Sequence, residues 1–319
     1  MLSVNKRAMK VVRKIIEDHE ALDVGIMRLS NGSTVIDMGV QYPGGWSAAK
    51  YLVEATLGGL GTCTYGTFIL DEFELPQVEI HVDKPVIACL SCQLSGWALA
   101  QLKGNSGIVP LISGPIRTII KEDDFARELP YQDHSDEVVA ALQSETLPDE
   151  KLTSYLAEKA GLTPDKVYLL TAATGSLTGM VNIAARTLET ALWQLHKMRF
   201  PIDRIISAWG KAPIPPLSKD EYTAMIRANT YVYYGGTAGF IVECRDEEIE
   251  KILLEVILSP ETTKQYGISF GQLLKEAGGN IFNMKDFTHS VTKVMFYNRL
   301  TGRSFVQGKN DRTMLLSCI

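Results

Sequence analysis

The chain contains 319 residues, of which 45% are hydrophobic and 22% charged, with a formal net charge of −5. This length allows one large core or, as the later pattern favours, two domains, and the composition is that of an ordinary globular protein. A mildly acidic chain without a basic stripe interleaved with aromatics offers no general attraction to DNA or RNA, and apolar runs far short of a bilayer span leave no membrane partner expected.

In chain order, residues 1–22 set Met9, Val12, Ile15 and Ile16 among charges, the pattern of an amphipathic surface helix. The segment lacks the apolar core and small-residue cleavage site of a signal peptide, so the expected compartment is the cytoplasm. Residues 23–28 and 33–40 flank Asn31-Gly32, the strongest hairpin signal in the chain. A helix is predicted over 46–57. Gly58-Gly59-Leu60-Gly61 follows that helix rather than a strand, so it reads as helix termination and not as a phosphate loop. Strands are predicted over 64–70, 77–82 and 86–90, with Pro76 and Lys84-Pro85 at the turns. The polar segment 143–151 separates a predicted N-terminal α/β domain, residues 1–147, from a C-terminal α/β domain, residues 148–319.

The second half alternates strand and helix: a strand over 166–171, a long helix, a strand over 204–209, a helix over 218–228 and two strands around Gly235-Gly236. Helices over 246–258 and 262–276 precede closing strands over 292–297 and 304–306. The fold class is therefore α/β with mixed α+β character.

Five cysteines, Cys63, Cys89, Cys92, Cys244 and Cys318, do not suggest a secreted disulfide scaffold. Cys89 and Cys92 lack two further close ligands, and buried thiols in a small-residue turn are the preferred reading. His19, His81, His134, His196 and His289 are scattered without the helical spacing of a zinc site, so no metal is expected.

The most informative stretch is 174–199, TGSLTGMVNIAARTLETALWQLHKMR. Apolar residues at Met180, Ile183, Ala184, Leu188, Ala191, Leu192 and Leu195 recur three and four apart and predict one helix, with Ser176 or Thr178 to cap its start. Arg186 and Glu189 lie three apart, close to that stripe, where a guanidinium and a carboxylate reach the same small volume. A surface salt bridge is the commoner meaning of such a pair. Its setting favours function: a buried-looking strand runs into the small-residue loop before it, which is where α/β proteins commonly place ligands.

These segments, with Tyr42-Pro43-Gly44-Gly45, Ala88 to Trp97 (ACLSCQLSGW), Ser113-Gly114-Pro115-Ile116-Arg117, Ile205 to Pro216, Tyr233-Tyr234-Gly235-Gly236 and Asn298 to Arg303, resemble methenyltetrahydromethanopterin cyclohydrolase, the pterin one-carbon enzyme of methane-metabolising archaea and some methylotrophic bacteria. The matches run in order from about residue 3 to residue 310. The resemblance implies two α/β domains of similar design with an active-site cleft between them, a homotrimer, and reversible hydrolysis of the methenyl bridge of 5,10-methenyltetrahydromethanopterin, or of its tetrahydrosarcinapterin form, to the 5-formyl compound. It implies no cofactor beyond that pterin carrier and no metal, and it points to Arg186 and Glu189 as catalytic. Cys92 and Leu94 stand where the family pattern leads one to expect small or aromatic residues.

For that chemistry a carboxylate can take the proton of the attacking water and return it to the leaving nitrogen, a role that suits Glu189, while Arg186 holds it ionised and orients the water. Ser91, Gln93, Gly96 and Trp97 are candidates for the pterin edge and its apolar wall, and Ser113, Gly114 and Arg117 for pterin or tail; a tight turn or ordinary packing explains each about as well. Lys211, with Arg227, Arg299, Arg303 and Lys309, is a candidate for an anionic tail. Two alternatives stay open: a non-catalytic pterin- or nucleotide-binding protein, and a cyclohydrolase of methenyl-tetrahydrofolate.

Overall fold

A computed structural model describes residues 2–99, 109–279, 283–284 and 287–319. The chain divides into two compact units, each assembled from non-consecutive segments: residues 1–61, 90–182 and 217–224 in the first, and 62–89, 183–216 and 225–319 in the second.

Unit 1 is built on α1 (Val4–Glu17), β1 (Gly25–Arg28), β2 (Thr34–Asp37) and α2 (Trp46–Thr56). The predicted hairpin is present, β1 pairing antiparallel with β2 from Gly25↔Asp37 to Arg28↔Thr34. The glycine stop after α2 is also present, with Gly58 and Gly59 in the left-handed region. In unit 2, β3 (Gly61–Leu70) and β4 (Phe73–Val82) follow. Pro76 lies inside β4 rather than at its turn, which falls at Asp71. It sits just beyond the β4–β9 register, which ends at Gln77, and its carbonyl still accepts from the Ile214 amide at 2.7 Å.

The strand predicted over 86–90 is instead a π-helical turn, Val86–Gln93. A short apolar run fits a buried strand and a buried helical segment equally, so periodicity could not separate them. Unit 1 resumes with β5 (Trp97–Ala98), β6 (Leu111–Ser113), α3 (Arg117–Ile120), α4 (Asp124–Glu128), β7 (Val138–Gln143), α5 (Glu150–Ala160) and β8 (Val167–Ala172). Its sheet runs β1-β2-β8-β7-β6-β5, with β2, β8 and β7 mutually parallel. β7 shows why it reads as a continuous apolar run: Val139 and Ala141 join the core beneath α1 and α2, while Val138, Ala140 and Leu142 join the core beneath α5. The polar segment around residue 147 thus lies within unit 1, between two strands that pair, and a single cut there would part neighbours in one sheet.

The chain continues through α6 (Leu177–Ala184), α7 (Thr187–Lys197), β9 (Ile205–Pro213), α8 (Glu221–Gly235), β10 (Thr237–Val242), α9 (Asp246–Ile252), α10 (Phe270–Glu276), β11 (Lys293–Asn298), β12 (Ser304–Gly308) and α11 (Arg312–Leu316). The sheet of unit 2 runs β12-β11-β10-β9-β4-β3, with β10 and β11 parallel. Two α/β units with six-stranded mixed sheets meet the expected fold class. The first of the two strands predicted around Gly235-Gly236 is the last turns of α8, where Tyr231 and Tyr234 are buried and burial overrides their strand propensity. Helices α9 and α10 are shorter than their predicted spans.

Candidate functional site

The single helix expected over 174–199 is two helices. Arg186 sits between them at φ −88°, ψ 5°, and its amide reaches back only to the Ile183 carbonyl at 2.9 Å. The Thr187 hydroxyl takes the Ala184 carbonyl at 3.0 Å, the competition with the backbone ladder that threonine brings. The apolar stripe runs unbroken across this joint, which is why periodicity shows no interruption. Ser176 does cap α6 as expected, its Oγ accepting from the Gly179 amide at 3.0 Å.

The joint places Glu189 in the first turn of a new helix, where unpaired amides and the helix dipole favour negative charge. Arg186 Nη1 donates to Glu189 Oε2 at 2.9 Å, and the two side chains are only 12% and 11% exposed. This is not the solvated helix-surface bridge that the spacing alone suggests. Taking both charges out of water is costly, so each must be held by well-aimed partners.

Neighbouring glycines let α7 press onto its sheet. A methyl on Gly210 would stand 3.0 Å from Leu188 Cβ, and one on Gly236 would stand 2.9 Å from Thr187 Cγ2 and 2.3 Å from the Val232 carbonyl. The end of α8 therefore abuts the first turn of α7. Gly236→Ala is expected to destabilise the protein by about 1–3 kcal/mol through overpacking. An unchanged urea midpoint would show that the joint has slack.

Tyr233 on this turn of α8 is buried, and its hydroxyl lies 3.0 Å from His289 Nδ1. Burial, then the negative charge of Glu189, raises the Tyr233 phenol well above the ordinary tyrosine range. Burial, then the charge of Lys197, lowers His289 from 6.5 to about 4. Between those values an unfolded chain binds a proton at this imidazole that the folded chain does not, so stability should fall as pH drops from 6.5 towards 4. Urea unfolding of His289→Gln at pH 7 and pH 5 should show a smaller difference than wild type; an equal difference would place the proton uptake elsewhere.

The remaining candidates gather in unit 1. Ser91 and Gln93 lie on the π-helical turn, 2% and 0% exposed, and the Ser91 hydroxyl has no hydrogen-bond partner among the described residues. Gly114, at φ +98°, donates its amide to the Cys92 carbonyl at 2.8 Å, which brings the Ser113-Gly114 corner against that turn. Arg117 is fully buried. Its Nε and Nη2 grip both oxygens of Asp123 at 2.9 and 2.7 Å, while Nη1 donates to the Leu90 and Ser91 carbonyls at 3.0 and 3.2 Å. The guanidinium braces the turn and has little capacity left for a ligand. Gly96 is required by close approach, since a methyl there would meet Asp123 Oδ1 at 2.6 Å. Trp97 packs in the core, edge-on to Tyr155 at 6.0 Å, rather than walling a pocket.

Lys211 follows Gly210 on β9, and because Gly210 faces α7, Lys211 projects from the opposite face of the sheet to Leu188 and its helix. The basic residues grouped with it are largely engaged: Arg299 pairs with Glu243, Arg303 with Asp246 and Glu250, and Arg227 donates to the Pro216 carbonyl. The small-residue loop after β8 is also occupied, because Glu221 accepts from the Thr174 and Gly175 amides at 2.9 and 2.7 Å. Cys89 and Cys92 are buried, and desolvation pushes the Cys92 thiol far up, away from thiolate chemistry. Asp133 binds the Asn5 amide and side chain and the Ser3 hydroxyl, tying α1 into unit 1.

A near-buried carboxylate at a helix start, partnered by an arginine, has the chemistry to take up and return a proton. The family model described as "Cyclohydrolase (MCH)" matches residues 3–319. A methenyltetrahydromethanopterin cyclohydrolase of Methanosarcina barkeri is 34% identical over 288 residues, 89% of this chain and 88% of its own. That of Methanocaldococcus jannaschii is 31% identical over 319 residues, 99% and 97% of the two chains. That of Methylobacillus flagellatus is 30% identical over 313 residues, 98% and 94%. The chain belongs to the MCH cyclohydrolase family.

Proposed function

We propose that this protein catalyses the reversible hydrolysis of 5,10-methenyltetrahydromethanopterin, or its tetrahydrosarcinapterin form, to the 5-formyl compound. Family membership supports the reaction class, and the observation that carries the chemistry is the 2.9 Å Arg186–Glu189 pair, nearly closed to solvent. The bridging carbon of the substrate has amidinium character and accepts water once that water is deprotonated. Glu189 takes the proton as general base and returns it to the leaving nitrogen. Arg186 keeps Glu189 ionised and orients the water and the developing oxygen. Electrostatic attraction between Glu189 and the cationic substrate aids catalysis only so far as it grows in the transition state.

Ser91 and Gln93 are kept as candidates for the pterin edge, with the Ser113-Gly114 corner, Arg117, Gly96 and Trp97 shaping the segment that carries them. Lys211 is kept as a candidate for the tail. The reaction needs no metal or redox cofactor, the working form is a homotrimer, and the place is the cytoplasm. No helix among the described residues is long and apolar enough to cross a membrane.

The test is the loss of near-ultraviolet absorbance of the methenyl chromophore on mixing with purified protein, beside a methenyl-tetrahydrofolate control. Fast loss with a preference for the methanopterin supports the proposal. Preference for the folate transfers the activity to that carrier, and saturable binding without turnover reduces the protein to a pterin-binding one.

A further inference from the structure

A cavity of about 420 Å³ in unit 2 lies beside the C-terminal end of α7, and no step of the mechanism above uses it. Gln194 and Lys197 come from that helix, Thr262 and Lys264 from the segment between α9 and α10, and Phe287 and Thr288 from the segment before β11. The volume is that of a small-molecule site rather than of a packing defect.

The charge on its walls has one sign. Lys197 and Lys264 are exposed cations, and among the described residues that line the cavity none is acidic. Glu261, next to Thr262 in the chain, is engaged by Ser259. Two ammonium groups on one cavity repel each other and call for an anion between them. The end of α7 does little to oppose one, because the Gln194, Leu195 and His196 carbonyls are already taken by the Met198, Phe200 and Arg199 amides.

The remaining polar groups offer lone pairs rather than hydrogens. Gln194 Nε2 donates to the Glu255 carbonyl at 3.4 Å, which fixes the way the amide faces and leaves Oε1 buried with no hydrogen-bond partner among the described residues. The Thr288 hydroxyl gives its hydrogen to the Thr262 carbonyl at 2.9 Å, and the Thr262 hydroxyl gives its own to the Ile257 carbonyl at 2.9 Å. A buried acceptor without a donor is costly, so these walls are complementary to hydroxyl groups.

We propose that this cavity is a binding site for a hydroxyl-bearing phosphate monoester, a sugar or polyol phosphate. Lys197 and Lys264 hold the phosphate, whose two negative charges match two ammonium groups better than the single charge of a carboxylate does, and a hydroxyl donates to Gln194 Oε1. Such a group can arrive on a free molecule or on the anionic tail of the pterin carrier, since Gln194 and Lys197 lie five and eight residues past Glu189 on α7, about 7.5 and 12 Å along its axis. The site stands on its own observations and not on the general-base role of Glu189.

The experiment titrates purified protein with ribose 5-phosphate, inorganic phosphate and ribose by calorimetry at low ionic strength, in wild type, Lys197→Gln/Lys264→Gln and Gln194→Leu. Wild type should bind ribose 5-phosphate more tightly than inorganic phosphate, and ribose not measurably. The double lysine variant should bind both phosphates roughly 5- to 30-fold more weakly, the loss of two exposed ion pairs. Gln194→Leu should weaken ribose 5-phosphate by roughly 2- to 10-fold, one hydrogen bond, and leave inorganic phosphate as it was. Because leucine replaces an acceptor that lacks a donor, the melting temperature of unliganded Gln194→Leu should hold or rise, where a merely structural glutamine would lower it.

No binding of ribose 5-phosphate, or equal binding by wild type and the double lysine variant, would overturn the proposal. So would a ribose 5-phosphate affinity no higher than that of inorganic phosphate, or a Gln194→Leu variant that melts earlier and binds as before. Methenyl hydrolysis in the presence of ribose 5-phosphate assigns the source: a rise in KM that the lysine variant lacks places the carrier's tail in the cavity, and an unchanged KM leaves it to a free phosphate ester. An inert wild type would overturn the cyclohydrolase reading, and the calorimetry would still decide the site.

Discussion

Glu189→Gln should lower kcat for methenyl hydrolysis by roughly 100- to 10,000-fold, the span of a general acid–base contribution. The substitution keeps size and hydrogen-bonding reach but removes the proton acceptor, so the loss should appear in kcat more than in KM, apart from a weaker attraction for the cationic substrate. Arg186→Lys should cost less, because an ammonium still neutralises the carboxylate, although it loses the planar fork that aims two hydrogens at once. Stability separates a chemical effect from a folding one. Glu189→Gln removes the Glu189 charge from beside the Arg186 guanidinium, which is only 12% exposed, so a lowered melting temperature is expected alongside the rate loss. Rates measured well below the melting temperature isolate the chemistry. Activity of Glu189→Gln equal to wild type would rule out the general base.

The largest stability effect is expected at Arg117. Arg117→Leu abandons Asp123, whose side chain is 6% exposed, and strips the Leu90 and Ser91 carbonyls of their donor. Removing one member of a buried pair costs about 3–5 kcal/mol because a charge is left without compensation. Asp123 also caps α4, with Oδ1 accepting from the Ala126 amide at 2.9 Å, so Asp123→Leu adds the loss of a cap, about 1 kcal/mol. The double variant Arg117→Leu/Asp123→Leu should therefore be more stable than the sum of its parts by several kcal/mol. Additive losses in urea unfolding would show that the pair is not coupled. On the binding role proposed for Ser91 and Gln93, the Arg117 single variant should also impair turnover, because it braces the π-helical turn that holds them.

What the sequence made legible follows from where local and tertiary forces agree. The hairpin at Asn31-Gly32, the helix after Gly45 and the strand before Thr174 carry turn chemistry and periodicity that burial reinforces. Residues 86–90 and 231–234 failed because an apolar run or a cluster of tyrosines states that a segment is buried without stating its backbone. The break at Arg186 was hidden because the apolar stripe keeps its phase through the joint. Arg186 and Glu189 were legible as a pair from spacing, but their burial was not, since it depends on Gly210 and Gly236, distant in sequence. The Tyr233–His289 contact spans 56 residues and has no local signal at all. Arg117 was visible as a cation in a turn, and only its full burial against Asp123 reveals a brace rather than a ligand contact.

The interleaving of segments has a consequence for how the protein is born. Unit 1 draws its last piece from residues 217–224, so although its sheet is complete once β8 ends at Ala172, the loop after β8 gains its Glu221 partner only when that later piece has been made. At about 5–20 residues per second the roughly 50 residues between β8 and that piece take about 3–10 s, during which the Thr174 and Gly175 amides wait for Glu221. Unit 2 waits longer, because its sheet needs β11 and β12, which end at Gly308. The nascent chain thus carries two unfinished bodies at once, and its need for chaperone shelter should last nearly the whole of translation.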